Sequence, residues 1–208
     1  MAHVEERFPL FPLGIVLLPT EIVPLHIFEE RYKLMIGEAV ESAGEFGILW
    51  LGDDGLRDVG CTARVAQVLE TMDDGRMNIL AQGGRPFRLL RKIEDLPYPA
   101  GDVEWLQDKA ETPDAKTVES ARAAYSALVE QATDDPPDAE GLAAMGAYEM
   151  AATVDFGLDA KQGLLDLRSE NARLRLATRL FKAATKRLDF VERAQARARS
   201  NGKVHFGA

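Results

Sequence analysis

The stretch FPLFPLGIVLLPTEIVPLHIFEERY, residues 8–32, decides how the chain is read. Pro9, Pro12, Pro19 and Pro24 punctuate a segment otherwise rich in Leu, Ile, Val and Phe. Proline fixes φ and lacks an amide donor, so it belongs at strand ends, edges and turns. No single regular element can run through, yet the apolar residues between the prolines are too many to leave in water. The segment predicts a short buried strand over residues 15–18, a tight connection through Pro19, Thr20 and Glu21, and a second extended piece over residues 23–27. A helix follows from Phe28 and Glu29.

Downstream, Glu29, Tyr32, Leu34, Met35, Ile36, Ala39 and Val40 recur at helical spacing, and Gly44 is a fitting stop. Residues 46–51 read as a buried strand closed by the turn Gly52-Asp53-Asp54-Gly55. Residues 61–70 form a long strand, Asp73-Asp74-Gly75 a hairpin signal, and residues 77–82 the returning strand. Gly83-Gly84 reads as a break, after which residues 87–93 alternate apolar and basic side chains as a separate strand. Leu96-Pro97-Tyr98-Pro99 is a bend and residues 101–106 a last strand. Six or seven short strands with one early helix predict a small closed or nearly closed barrel.

Strand signals largely stop near Lys109. Residues 118–132 predict one helix, 139–154 a second, and residues from Asp159 a short third. Ser169 or Asn171 caps a long one carrying Leu174, Ala177, Phe181, Ala184, Leu188 and Val191 on one face. The expected class is therefore α+β. A barrel subdomain covers residues 1–110, a helical bundle ending in a long helix covers 111–200, and a flexible tail covers 201–208.

Charge is uneven along the chain. The net is −9, but residues 168–208 carry 11 Lys/Arg against 3 Asp/Glu, a basic element on an acidic body. No apolar run approaches the roughly 20 residues that span a bilayer, and the acidic N-terminus lacks the pattern of a signal peptide. Cys61 is the one cysteine, which excludes an internal disulfide and makes a cytoplasmic protein the expectation. It reads as a small buried hydrophobe.

Phe8-Pro9-Leu10-Phe11-Pro12-Leu13, Val16-Leu17-Leu18-Pro19, Pro24-Leu25-His26-Ile27-Phe28-Glu29 and Arg31-Tyr32 together resemble the signature of the Lon N-terminal (substrate-binding) domain family. Phe46-Gly47, Val59 to Ala63, Gly84-Arg85 with Phe87-Arg88, Pro97-Tyr98, Val103-Glu104, Lys161-Gln162, Leu164-Leu165-Asp166 and Arg173-Leu174 follow in the family's order. The resemblance covers roughly residues 7–190. It implies a PUA-like mixed β pseudo-barrel followed by a helical bundle, and the polypeptide-recognising role of an ATP-dependent protease system. Pro12, Pro19, Pro24, His26, Phe28, Glu29, Arg31 and Tyr32 would then be fold-signature residues. Thr20 stands where many relatives carry glycine, which implies a remodelled turn. Pro86 argues against a central ladder position for its segment.

Reactive chemistry is not in view. His3 and His205 fall in the termini, and His26 reads as a hydrogen-bonded core histidine. No His/Cys/Asp group has zinc-ligand spacing, no serine lies in a Gly-x-Ser-x-Gly elbow, and no phosphate loop occurs. The acidic turns lack the ligand series of a calcium loop. Nothing calls for a cofactor, so the expectation is a non-catalytic module without the motor or the cutting machinery. Its expected partners are unfolded or flexible polypeptide segments and components of the Lon system, with no membrane and no nucleic acid. Trp50, Arg85, Phe87, Tyr98 and Trp105 are the candidate lining of a groove between barrel and bundle, because aromatic residues and Arg are the usual interface anchors. The competing readings are an RNA-binding PUA-like protein using the basic last helix and, as the family's usual name would suggest, a peptidase.

Overall fold

The computed structural model describes residues 3–201. In chain order these form β1 (Val4–Leu13), β2 (Ile22–Ile27), α1 (Glu30–Ser42), β3 (Phe46–Gly52), β4 (Gly55–Leu56), β5 (Val59–Thr71), β6 (Met77–Ile93) and β7 (Ala100–Trp105). Five further helices follow: α2 (Ala115–Thr133), α3 (Ala139–Ala144), α4 (Ala147–Ala151), α5 (Leu158–Leu165) and α6 (Glu170–Asn201). The class is α+β, with a mixed sheet followed by helices and a long last helix. Of the tail expected over 201–208, residues 202–208 and His205 with them lie outside the described residues.

The sheet order is β1-β7-β6-β5-β3, and β3 returns to β1 in parallel, Leu10 opposite Gly47 through Leu13 opposite Trp50. All other pairings are antiparallel, so one parallel rung closes the barrel. β2 lies off this circuit and pairs with the first half of β6, Ile22 opposite Gln82 through Ile27 opposite Met77. β4 makes a hairpin with the end of β3.

Three expectations about the strands change. The strand predicted over residues 15–18 is instead a connection whose side chains Val16, Leu17 and Leu18 are buried. The strand itself lies earlier, in β1, where Pro9 and Pro12 are accommodated. Second, residues 77–82 and 87–93 are one continuous strand. Gly83 does not break it. A Cβ there would run into the carbonyl oxygen of Leu18, so its glycine reflects close backbone approach by the connection before β2. Third, Pro86 does sit in a central strand, paired with Cys61 on β5. The register shifts between Cys61 and Ala63, so Gly84 and Arg85 bulge out opposite Thr62, whose hydroxyl accepts the Arg85 amide at 3.0 Å.

Thr20 also differs from expectation. It keeps a left-handed φ of 68° despite its branched Cβ. Its amide donates to the Gly83 carbonyl at 3.0 Å, and the Gly83 amide donates to the carbonyl of Glu21 at 2.8 Å. The turn is thus held by β6 rather than remodelled.

The main core fills one end of the barrel and runs on into the helices. Phe11, Tyr32, Ile36, Phe46 and Ala81 belong to the same buried cluster as Tyr125, Met150, Leu165, Leu174 and Phe181. Helix α2 runs parallel to α6, with Asp114 beside Asn171 at one end and Gln131 beside Asp189 at the other. The single helix predicted over 139–154 is two, interrupted at Met145 and Gly146. Ser169 caps α6, accepting the Ala172 amide at 3.1 Å. Val191, expected on the core face, is 42% exposed because α6 outruns α2 there.

Candidate functional site

The seam between barrel and helices, where the sequence places a groove, is occupied by polar fasteners. Glu21 accepts the Leu18 amide at 2.9 Å and forms an ion pair with Lys161 on α5, both side chains nearly out of solvent. Gln162 next to it donates to the Val59 carbonyl at 3.1 Å. Asp108, in the segment between β7 and α2, pairs with Arg173 of α6, which also holds Glu170 at 2.8 Å and lies 4.3 Å over the Tyr148 ring. The hydrogen bond from Arg173 holds the Asp108 carboxyl below the usual aspartate range. These contacts give Lys161, Gln162 and Arg173 a structural explanation.

Of the five expected groove residues, Arg85, Phe87 and Trp105 are brought together, while Trp50 and Tyr98 lie elsewhere. Phe87 is fully buried and Trp105 nearly so, in a second core with Phe8, Leu10, Leu49 and Val103. Phe8 meets Trp105 edge-on, with ring centroids 5.2 Å apart. Phe87 and Trp105 are barred from a surface groove because β6 and β7 turn them inward. Arg85 is exposed and caps the Trp105 ring with its guanidinium, 3.7 Å from the centroid. Trp50 is half-buried at the β3–β4 hairpin with Arg57 5.1 Å above it. Tyr98 lines a cleft.

That cleft, of about 300 Å³, opens at the end of the barrel. Leu10 and Pro12 of β1 and Leu56 of β4 form one side. Ile93, Leu96, Pro97, Tyr98 and Pro99, between β6 and β7, form the other. The prolines fix the backbone of this second wall. It is tied down further by the Leu10 amide, which donates to the Pro99 carbonyl at 2.8 Å, and by the Tyr98 hydroxyl, which donates to Glu38 at 2.6 Å. That hydrogen bond, with burial, pushes the Tyr98 hydroxyl up in pKa and keeps it a donor. Arg31 and Lys92 stand at the rim. Arg31 is already bonded to Glu29 at 2.6 Å, whereas Lys92 projects exposed.

The signature residues lie mostly behind or beside this cleft. Pro12 is in its wall, and Tyr32 is buried against Phe11 with centroids 4.1 Å apart. Pro19 is buried in the connection before β2, and Pro24 is exposed on β2. His26, expected in the core, is on the surface instead. Its Nδ1 lies 2.7 Å from the Asn78 side-chain oxygen and its ring stacks on exposed Phe28. Its strand pairs with β6 along one edge, so alternate side chains face water. Cys61 is buried, and burial raises its thiol pKa, which leaves it unreactive. No group of three or more His, Cys, Asp or Glu among the described residues could hold a metal ion. The cleft can take an apolar side chain against these walls, with the Glu94 carboxylate also in its lining. Sequence reading flagged its Leu96–Pro99 bend but missed Leu10, Leu56 and Ile93, because nothing local marks strand ends that meet only after closure.

The model of the ATP-dependent protease La (LON) substrate-binding domain matches residues 7–183. The Lon protease of Anaeromyxobacter dehalogenans is 25% identical over 192 residues, 83% of this chain and 22% of that protein. That of Parabacteroides distasonis is 30% identical over 114 residues, 50% of this chain and 14% of that protein. The chain thus spans less than a quarter of the length of these relatives. Among solved structures, a Lon N-terminal domain protein from Xanthomonas campestris superposes with a TM-score of 0.62 at 23% identity, covering 81% of this chain and 94% of that one. The N-terminal domain of a Mycobacterium avium complex Lon protease gives 0.62 at 17% identity, covering 85% and 98%. At these identities the structures speak for the fold.

Proposed function

The chain belongs to the ATP-dependent protease La (LON) substrate-binding domain family, and with that as premise we propose that it is a non-catalytic module that recognises unfolded or flexible polypeptide segments. The observation that carries the reading is the barrel-end cleft, lined mainly by apolar side chains, held by its prolines, and edged by Arg31, Lys92 and Glu94. Burying one Leu- or Phe-sized side chain in such a site contributes about 1.5–3 kcal/mol. Preordered walls keep most of that gain, because little entropy is lost on binding. One such contact alone gives weak, reversible binding, which suits a module that samples many chains. A role as adaptor or decoy of the Lon system in the cytoplasm follows from the same reading. No helix among the described residues is long and apolar enough to cross a membrane.

The test is equilibrium binding of a labelled, permanently unfolded polypeptide to the pure protein. We expect saturable binding that Leu96→Asp weakens without lowering thermal stability. Binding unchanged by Leu96→Asp removes the cleft from the proposal, and no binding at high micromolar concentration removes the function.

A further inference from the structure

Helix α6 carries cations in a line. Arg175, Arg179, Lys182, Lys186 and Arg193 fall at i, i+4, i+7, i+11 and i+18, so they share one face over roughly 27 Å of helix. All five are exposed. None forms an ion pair or side-chain hydrogen bond among the described residues. Leu174, Ala177 and Phe181 on another face of the helix lie in the core, so this row is exposed along the border with α2. Asp114 faces Arg175 at one end of α2. Asp189 beyond Lys186 is engaged by Gln131 at 2.7 Å.

A groove of about 510 Å³ runs beside the row, between α2 and α6. Ser120, Ala123 and Ala127 of α2 form its floor and one wall, and Lys182, Thr185 and Lys186 of α6 the other. Its surface is mostly methyl and methylene carbon, with Ser120 and Thr185 contributing hydroxyls, and is edged by two unpaired ammonium groups.

We propose that this groove seats an acidic amphipathic helix of a client or partner polypeptide, with its apolar face on α2 and its carboxylates along the α6 row. Charge complementarity selects the acidic partner, since carboxylates at helical spacing meet cations at the same spacing. The carbon floor selects a polypeptide over a nucleic acid. It offers a helix apolar area to bury, and no aromatic ring lines it on which bases could stack. The inference rests on the polypeptide-binding reading above and names the class of segment bound at a second place.

The test uses fluorescence anisotropy with a labelled peptide of about 20 residues, roughly the length of α2, with Leu and Ala on one face and Glu on the other. A matched peptide with Lys for Glu and a single-stranded RNA of similar length are the controls. The acidic peptide is expected to bind, with affinity falling as salt rises. Lys182→Glu combined with Lys186→Glu should weaken it at least about tenfold and leave the unfolded-polypeptide binding that Leu96→Asp weakens unchanged. Both lysines are exposed, so the variant folds, and an unshifted melting temperature verifies that. Equal binding of the two peptides, an unaffected double variant, tighter RNA binding, or self-association that the double variant abolishes each overturns the inference. If Leu96→Asp still acts when the double variant does not, the general reading stands and this one falls.

Discussion

Glu21 and Lys161 form an ion pair across 140 residues of chain, joining the connection before β2 to helix α5. Both side chains are nearly excluded from water, so removing one partner strands the other. We expect Lys161→Met to cost about 3 kcal/mol, and Lys161→Met with Glu21→Gln to recover part of that. Denaturant unfolding of the two singles and the double closes the cycle. Additive losses would show that the pair is not coupled.

Thr20→Gly should stabilise the protein. A branched residue at φ 68° pays about 1–2 kcal/mol of backbone strain, and the added freedom of glycine when unfolded returns roughly 0.5–1 kcal/mol of it. The net gain of up to about 1.5 kcal/mol raises the melting temperature by roughly 2–4 °C for each kcal/mol, read by thermal unfolding.

Gly83→Ala should destabilise it by about 1–3 kcal/mol, the range for overpacking a tight site. The new methyl meets the Leu18 carbonyl, and relieving that contact separates the connection from β6. The hydrogen bonds of Thr20 and Glu21 to Gly83 are then lost together. Faster amide exchange at Gly83 is the local readout.

Stability should fall in acid through Asp108. Its carboxyl pKa is depressed in the folded state, chiefly by the hydrogen bond from Arg173. Its contribution is therefore complete above the ordinary aspartate pKa of about 4 and disappears as pH drops through the lower folded value. Asp108 is part-exposed, so solvent moderates the size of the effect. Asp108→Asn should flatten the pH dependence of unfolding below about pH 4. An unchanged slope there would assign the acid sensitivity to other carboxylates.

Arg85→Ala should uncover Trp105 without emptying the core. The guanidinium 3.7 Å from the ring centroid shields the indole, and such contacts are worth about 0.5–1 kcal/mol at exposed sites. A red-shifted tryptophan emission with a loss of that size is the expected outcome.

The sequence made the barrel legible because period-two patterning, turn residues and the proline-punctuated opening are local signals. It made the long helix legible from the spacing of Leu174, Ala177 and Phe181. It misplaced the first strand and split β6, for a shared physical reason. Gly83 and Pro86 normally interrupt strands, and here one answers to the Leu18 backbone and the other to a bulge opposite Thr62. Those causes lie 60 and 20-odd residues away in the chain. The site was less legible. Aromatic and basic residues were sound candidates for interface anchors, but only the pleat direction decides that Phe87 and Trp105 face inward, and only the path of the chain between β6 and β7 puts Tyr98 in a cleft. The fasteners Glu21 and Lys161 were invisible because neither has a local pattern that announces its partner.

The continuity of the main core has a practical corollary for anyone moving this unit into another protein. Ile36, Phe46 and Ala81 of the barrel share one buried cluster with Leu165, Leu174 and Phe181. A fusion that carries only the β portion would transplant half of an interior and leave it wet. The graftable piece is the barrel together with its helices through α6.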